Sequence, residues 1–291
     1  MQNSNTLVTI IIGERSNLSF KLTKKILNSE VYSATSLSKS LFELRKFKGK
    51  KVNIIFNNFQ PSNNLSSFVD PCKYIELSIS LTVRILMQLI ENGALINQII
   101  YTSSSSVYGN LIKTDKTDDY SKVAPIGIPA SLKYLNEQFL TEVCKNYDLN
   151  LIITRIFNLY GGNDNFSIIS KIINSYKNKS TLNVRNGGKS LRDFIHINNV
   201  VDIYEKLLNN SLVKFDIIDI GIGQAQSLEG ILIYLSKNGY AIETENSTSF
   251  EIDFSQADIS KIQKIINVSS FMDVKLFLLK KLQRINVNNN N

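Results

Sequence analysis

The sequence predicts an α/β fold, with a doubly wound parallel sheet followed by a smaller, mixed C-terminal lobe. Strand-like and helix-like segments alternate over residues 7–155, and this alternation is typical of a parallel sheet with helices on both faces. The segments 7–12 and 52–56 are mostly apolar, as strands buried on both faces are. Such a sheet binds ligands at the carboxyl ends of its strands.

Apolar spacing, together with flanking glycines and prolines, defines the individual elements. Five strands are expected in the first half, at residues 7–12, 31–34, 52–56, 95–103 and 149–155. The helices expected between them lie at residues 18–27, 37–47, 71–92 and 129–146. In the second half we expect helices at 166–177, 197–209, 228–237 and 274–282, and short strands at 215–220 and 250–253.

The composition is that of an ordinary soluble globular protein, with 43% hydrophobic and 20% charged residues in 291. No apolar run reaches the ~20 residues that a membrane span needs. The residues before the first strand are polar and uncharged, so we expect no signal peptide. The scarcity of cysteines favours a reducing cytoplasm. Cys72 and Cys144 are the only cysteines, too few for a disulfide framework or a metal cluster.

The net charge of +8 raises the question of a polyanionic partner, because basic chains bind nucleic acids, membrane surfaces or phosphates. The lysines are scattered along the chain, and no basic stripe with interleaved aromatic residues occurs. This pattern favours a general bias in composition, and we expect no nucleic-acid binding.

Four short segments carry a family resemblance. They read Tyr-Thr-Ser-Ser-Ser-Ser-Val-Tyr-Gly at 101–109, Arg-Ile-Phe-Asn-Leu-Tyr-Gly at 155–161, Arg-Asp-Phe-Ile-His-Ile at 192–197 and Ile-Gly-Ile-Gly at 220–223. In this order and at this spacing they resemble the extended short-chain dehydrogenases of the NAD-dependent epimerase/dehydratase type, which modify sugar nucleotides. The resemblance implies a Rossmann-like dinucleotide domain over 1–160 and a partly interleaved substrate lobe over 161–285. The low-complexity tail, 286–291, is expected to be disordered.

The resemblance also implies an acid–base pair in which a Tyr removes the proton of the sugar hydroxyl and a Ser binds the oxygen of that hydroxyl. A Lys four residues after the Tyr lowers its pKa and holds the ribose of the cofactor. Carried over position by position, the hydroxyl is Ser104 and the lysine is Lys133. The tyrosine position holds Pro129, which has no proton to exchange. The acidic pair that dehydratases carry is replaced by Ser105 and Ser106, which argues against 4,6-dehydration.

Several residues are candidates for the missing acid–base group. Tyr134 is adjacent to Lys133 but points about 100° away on a helix. Tyr108 and Tyr120 are expected on loops. Lys133 itself is a further candidate, and its alternative interpretation is an exposed helix lysine.

The first turn is where the family binds its dinucleotide, on a Gly-x-x-Gly-x-x-Gly pattern. Here the three positions hold Gly13, Ser16 and Ser19, with Arg15 as a further phosphate partner. No acid follows the second strand, so the cofactor is NAD or NADP, the latter with Arg15 or Lys39 on its extra phosphate. Phe59 follows the third strand, where small residues usually line the cofactor groove, and is a candidate obstruction of that groove.

On the substrate side, the resemblance assigns Asn158 and Arg192 to the diphosphate of a nucleotide sugar. Arg155 and Asp193 are interpreted as structural, and His196, the only histidine, as a packed residue. A lone histidine and two cysteines assemble no metal site.

Two hypotheses about function remain open. The first is an NAD(P)-dependent nucleotide-sugar epimerase or 4-ketosugar reductase in surface-polysaccharide or deoxysugar synthesis. The second is a catalytically silent relative that binds a sugar nucleotide or a partner chain without turnover. The resemblance further implies a homodimer formed through the helices at 71–92 and 129–146.

Overall fold

A computed structural model describes residues 7–58, 71–110, 123–209 and 215–289. Its main feature is a six-stranded sheet with the order β2-β1-β3-β4-β5-β9. These strands are β1 (Val8–Ile12), β2 (Ser29–Tyr32), β3 (Lys51–Phe56), β4 (Leu95–Ser104), β5 (Leu151–Ile156) and β9 (Phe215–Ile220). The pairs β1–β2, β1–β3 and β3–β4 are parallel. The predicted fold class is therefore confirmed.

Helices follow the strands, as expected from the alternation. They are α1 (Asn17–Lys25), α2 (Ala34–Lys39), α3 (Leu81–Glu91), α4 (Ile128–Asn146), α5 (Ile168–Asn178), α6 (Ile197–Asn209), α7 (Leu228–Lys237) and α8 (Val274–Asn289). A helical turn at Pro71–Tyr74 and a π-helical stretch at Ile75–Ser80 lead directly into α3. No helix in the described ranges is long and apolar enough to cross a membrane.

The chain divides into two compact units. The first comprises Met1–Val107, Pro125–Arg155 and Val201–Ile218, and the second comprises Tyr108–Ala124, Ile156–Val200 and Asp219–Asn291. The core of the first unit is built on the inward side chains of β1, β3 and β4 with those of α3. All five residues of β1 are buried, which explains why this strand is apolar throughout.

The second unit is organised around β8 (Leu191–His196). This strand pairs in parallel with β6 (Asn158–Tyr160) and β12 (Phe254–Ser255), and antiparallel with β10 (Ala225–Ser227). A separate parallel pair consists of β7 (Leu182–Arg185) and β11 (Thr244–Ser247). Apolar residues of α5, α7 and α8 form the core of this unit.

Three sequence predictions of local structure were wrong. Of the tail expected to be disordered, residues 286–289 instead belong to α8. The helix expected at 37–47 is instead α2 followed by a 3-10 helix at Phe42–Phe47, because Ser40 takes an extended conformation and ends α2. The strand expected at 250–253 is absent, and the neighbouring strands are β11 and β12. The short strands β6, β7, β8 and β10 were missed, since three to six residues carry little periodicity.

Candidate functional site

The turn between β1 and α1 depends on Gly13. Its φ is +119°, and a Cβ at this position would collide with the backbone carbonyl of Asn57. The amides of Gly13 and Glu14 donate to the carbonyl of Tyr32, at 2.9 and 3.2 Å. The turn therefore lies tightly against the carboxyl ends of β2 and β3, as the first glycine of a dinucleotide turn permits.

Two serines occupy the positions of the other family glycines. Ser16 is the N-cap of α1, and its hydroxyl accepts from the amide of Leu18. Ser19 is fully buried, and Asn57 Nδ2 donates to both serine hydroxyls at 2.8 Å. Ser19 thus keeps the close packing of helix and strand that a glycine normally supplies. The buried Asn57 Oδ1 has no hydrogen-bond partner among the described residues.

These observations test whether a dinucleotide fits the first unit. The positive φ of Gly13 is retained, and Ser16 leaves the N-terminus of α1 with a small residue. Backbone N–H groups and the helix dipole at such an N-terminus suit a pyrophosphate. The residues present therefore fit the group. Phe59, the candidate obstruction, lies outside the described residues.

Arg15 is exposed on the same turn, and its Nη2 donates to Thr35 Oγ1 at 3.0 Å. Thr35 stands in the first turn of α2, just after β2. Lys39, the other cation considered for a phosphate, is exposed at the end of α2.

The candidate catalytic hydroxyl, Ser104, is the last residue of β4. Its Oγ accepts from the amide of Ser106 at 3.2 Å, so it caps the following 3-10 turn, and it is half-buried. The preceding Ser103 has another task, because its hydroxyl donates to the carboxylate of Glu137 on α4.

A buried ion pair lies beneath this strand end. Arg155, in β5, places Nη2 at 2.6 Å and Nε at 3.2 Å from the two carboxylate oxygens of Glu137. With the bond from Ser103, the pair ties α4 to the ends of β4 and β5. The structural role predicted for Arg155 agrees with these contacts, whereas the sequence analysis assigned no role to Glu137.

Lys133 lies one helical turn before Glu137 on α4. Its side chain is half-buried, so the interpretation as a fully exposed helix lysine does not describe it. Burial lowers the pKa of Lys133 to about 8, although the charge of Glu137 opposes that shift. A lysine with such a pKa exchanges protons near neutral pH.

The other candidates for the missing base fare differently. Pro129 occupies the first turn of α4, where its missing N–H needs no partner. The hydroxyl of Tyr108 is buried and donates to Asp219 Oδ1 at 2.7 Å, so its proton is already engaged. Tyr134 is half-buried beside Lys133. Tyr120 lies outside the described residues.

The second unit contains a cleft of about 890 Å³. Two of the three predicted substrate residues, Asn158 and Arg192, line it, and Ser104 does not. The sequence analysis missed the other charged residues of the lining, which are Lys171, Arg185 and Glu251. The alternation of apolar and polar residues in β7, which reads Leu-Asn-Val-Arg and ends at Arg185, is the sequence signal that could have revealed that residue. Three cations against one carboxylate give the lining a net positive charge.

Arg192 is held firmly in this cleft. Its Nη2 donates to Glu251 Oε1 at 3.2 Å and to the carbonyl of Ile252, and its Nη1 donates to the carbonyl of Leu191 at 3.0 Å. Burial lowers the pKa of Arg192, and the charge of Glu251 opposes this. Asn158 Nδ2 donates to the backbone carbonyl of Asp193 at 3.0 Å.

Asp193 and His196 are structural, as predicted. The Asp193 carboxylate accepts from the amides of Ile222, Gly223 and Ala257, and burial raises its pKa to about 6 against the effect of those bonds. The ring of His196 packs against Tyr160 and Phe277, and its Nδ1 accepts from a backbone amide. Within the described ranges, no group of three or more His, Cys, Asp or Glu residues is arranged to hold a metal ion.

A parallel sheet with a glycine-dependent first turn, together with a cationic cleft in a second unit, defines a Rossmann-type protein with a nucleotide-sized ligand cleft. Residues 8–221 match the family model described as the NAD dependent epimerase/dehydratase family. The chain belongs to this family, as its four motifs had indicated.

Several curated relatives are named as epimerases or dehydratases of nucleotide sugars. The chain is 28% identical over 191 residues to ADP-L-glycero-D-manno-heptose-6-epimerase of Brachyspira hyodysenteriae, covering 61% of this chain and 59% of that protein. It is 24% identical over 246 residues to UDP-glucose 4-epimerase of Mycoplasma genitalium, covering 76% and 70%. The match covers only 59% of the Brachyspira protein. A match to a further relative, dTDP-D-glucose 4,6-dehydratase of Dictyostelium discoideum, covers only 44% of that protein.

Solved structures show the same fold. UDP-glucuronic acid 4-epimerase of Bacillus cereus, crystallised as a point mutant with a UDP-sugar analogue and NAD, superposes with a TM-score of 0.81 at 18% identity. The superposition covers 97% of this chain and 99% of that one. At this identity the likeness establishes the architecture.

Proposed function

We propose that the chain is an NAD(P)-dependent nucleotide-sugar epimerase or 4-ketosugar reductase of surface-polysaccharide or deoxysugar synthesis. The observation that carries this proposal is that a member of this family has a cleft lined by cations in its second unit. Its size suits a nucleoside diphosphate. Its cations, Lys171, Arg185 and Arg192, suit a diphosphate, and the guanidinium of Arg192 has the planar geometry that binds phosphate oxygens in pairs.

In the first unit, the dinucleotide is assigned to the β1–α1 turn. Gly13 and Ser16 would hold its pyrophosphate at the N-terminus of α1, and Arg15 would contact its adenosine end. Ser19 supports the turn from the buried side, and Lys133 would hold the nicotinamide ribose. When bound, the nicotinamide supplies hydride transfer to and from a sugar carbon.

The proton of the sugar hydroxyl is assigned to Lys133, because the usual tyrosine is Pro129. Ser104 would hydrogen-bond the same sugar oxygen, and the Lys133 amine would take the proton or return it. With a pKa of about 8, about a tenth of Lys133 is neutral at pH 7, which is enough for it to accept a proton.

The silent-relative hypothesis keeps specific support from Pro129 and the two serines of the first turn. Loss of general acid–base help costs about 10²- to 10⁴-fold in rate, so a weakly active enzyme resembles a silent relative in a rate assay. Binding of a dinucleotide distinguishes the two hypotheses more clearly.

The test follows the melting temperature of the purified protein with NAD⁺, NADP⁺ and UDP, added separately, since a ligand held by the native state raises stability. We expect a rise with a dinucleotide and a rise with UDP. Conversion of UDP-, dTDP- and ADP-sugars, followed by mass spectrometry and by absorbance of the reduced nicotinamide, then decides about turnover. No response to either dinucleotide refutes the oxidoreductase proposal, and binding without conversion establishes the silent relative.

A homodimer in a reducing cytoplasm is part of the same proposal. Apolar side chains are exposed on the two helical segments expected at the interface, namely Ile75 at 42%, Leu135 at 49% and Phe139 at 50%. Light scattering of the wild type and of Phe139→Glu tests the dimer. A wild-type mass of one chain refutes it, and a dimer that the substitution converts to monomer supports it.

A further inference from the structure

The corner beside the end of β2 has an unusual distribution of charge for a dinucleotide-binding sheet. Strands β1 and β2 run in parallel register as far as the pair Ile12 and Tyr32. The amides of Gly13 and Glu14 donate to the carbonyl of Tyr32. The turn after β1 therefore lies directly beside the residues that follow β2.

No carboxylate follows β2 in the sequence, because residues 33–39 contain neither Asp nor Glu. In dinucleotide folds an acid about 20 residues after the first glycine binds the ribose 2′-hydroxyl, whereas an arginine near this place accommodates a 2′-phosphate. Ser33 stands 20 residues after Gly13. The nearest acid within β2, Glu30, is bound by Lys46 and by the hydroxyl of Tyr32 at 2.7 Å.

An arginine is present at this corner and is oriented by the fold. Arg15 Nη2 donates to Thr35 Oγ1 at 3.0 Å, which draws the guanidinium from the first turn towards the start of α2. A guanidinium has five N–H donors, so one bond to a hydroxyl leaves the capacity for a bidentate bond to a phosphate. Thr35 Oγ1, which accepts from Arg15, still has its own hydrogen to donate, and Ser33 is the N-cap of α2, two residues earlier, with no side-chain capping bond.

We propose that Arg15, Ser33 and Thr35 form a binding site for the 2′-phosphate of an adenine dinucleotide, so that this chain selects NADP(H) over NAD(H). This choice departs from the cofactor in the name of the family. The inference rests on the proposed function, since it assumes that the β1–α1 turn holds a dinucleotide. The exposed carboxylate of Glu14 on the same turn opposes the phosphate, so it limits the preference.

The test measures binding by calorimetry, with no turnover required. The full-length protein is titrated with NADP⁺ and NAD⁺, and with 2′,5′-ADP and 5′-AMP, because each pair differs only in the 2′-phosphate. We expect the phosphorylated member to bind about 10- to 100-fold more tightly, as a charge-assisted bidentate bond contributes.

Three variants make the assignment specific. Arg15→Ala is expected to remove most of the preference for NADP⁺, because it should weaken NADP⁺ binding far more than NAD⁺ binding. Thr35→Asp is expected to invert the preference, because a carboxylate repels the phosphate and accepts from the ribose hydroxyls. Arg45→Ala, which removes an exposed arginine stacked over Phe42, is the matched control and is expected to change neither affinity.

The outcomes separate this inference from the proposed function. NAD⁺ binding as tightly as NADP⁺ overturns the 2′-phosphate site and leaves the oxidoreductase proposal standing. Equal weakening of both dinucleotides by Arg15→Ala also overturns the site. If neither dinucleotide binds, the 2′-phosphate site and the proposed function are both refuted.

Discussion

The carboxylate of Glu137 on α4 and the guanidinium of Arg155 in β5 form an ion pair that is sealed from solvent. The Nη2–Oε2 distance is 2.6 Å, and the two side chains are 0% and 1% exposed. Removing one partner leaves the other charge buried and uncompensated, at a cost of about 3–5 kcal/mol. We therefore expect Arg155→Met to lower the free energy of unfolding by about that amount, measured by urea denaturation.

The double variant Arg155→Met/Glu137→Leu is the control for this prediction. It removes both charges, so its loss of stability should be smaller than the sum of the two single losses. If the double variant loses as much stability as the two single variants together, the pair contributes by packing alone.

A second prediction concerns the pH dependence of stability that Lys133 imposes. Its pKa falls from 10.5 to about 8 on folding, so the unfolded chain binds more protons between these values. Stability contributed by this site therefore rises as the pH increases from about 8 to 10.5. Lys133→Met should remove that slope from thermal unfolding curves. Lys145→Met, an exposed lysine on the same helix, controls for the loss of a positive charge.

Lys133 also predicts a pH dependence of activity. If its neutral amine takes the sugar proton, the rate of sugar oxidation should rise with pH and level off above about 8. Lys133→Arg keeps a cation but cannot release a proton, so we expect it to retain dinucleotide binding and lose about 10²- to 10⁴-fold in rate. An unchanged pH profile in that variant would remove Lys133 from proton transfer.

A fourth prediction tests the turn between β1 and α1. In Gly13→Ala, the new Cβ meets the carbonyl of Asn57 and φ is +119°, so we expect both a loss of stability and a loss of dinucleotide binding. Gly49→Ala is the matched control, because Gly49 has φ +69° with no atom near its Cβ position. It should cost only the strain of a positive φ, about 1–2 kcal/mol. Equal losses in the two variants would contradict a special role for the turn.

A fifth prediction separates the attraction of UDP to Arg192 from the competition of Glu251 for the same guanidinium. Arg192→Ala should weaken UDP binding about 10- to 100-fold, since it removes a charge-assisted hydrogen-bond donor. Glu251→Gln should strengthen it, because the carboxylate that now pairs with Arg192 competes with a diphosphate. Calorimetry with UDP measures both, and Arg284→Ala on α8, outside the residues that line this cleft, is the control. Weaker binding in Glu251→Gln would contradict the competition.

The sequence analysis was most accurate for elements that interactions between neighbouring residues determine. Helices α6 and α7 and strand β9 had their ends predicted correctly, because capping residues and apolar spacing are local signals. The 3-10 helix after α2 and the strands around β8 were missed, since packing against distant residues determines them. The same holds for Glu251, which contacts Arg192 across 59 positions of sequence.

By itself, the sequence determined the fold class and the family, and it predicted that Pro129 replaces the catalytic phenol, because motifs and periodicity are properties of neighbouring residues. Only the tertiary structure decided that Ser19 faces the interior, that the proton of Tyr108 is engaged by Asp219, and that Lys133 is half-buried above an ion pair. Burial and long-range hydrogen bonds set the protonation and availability of a side chain. Both depend on residues that are far apart in the chain.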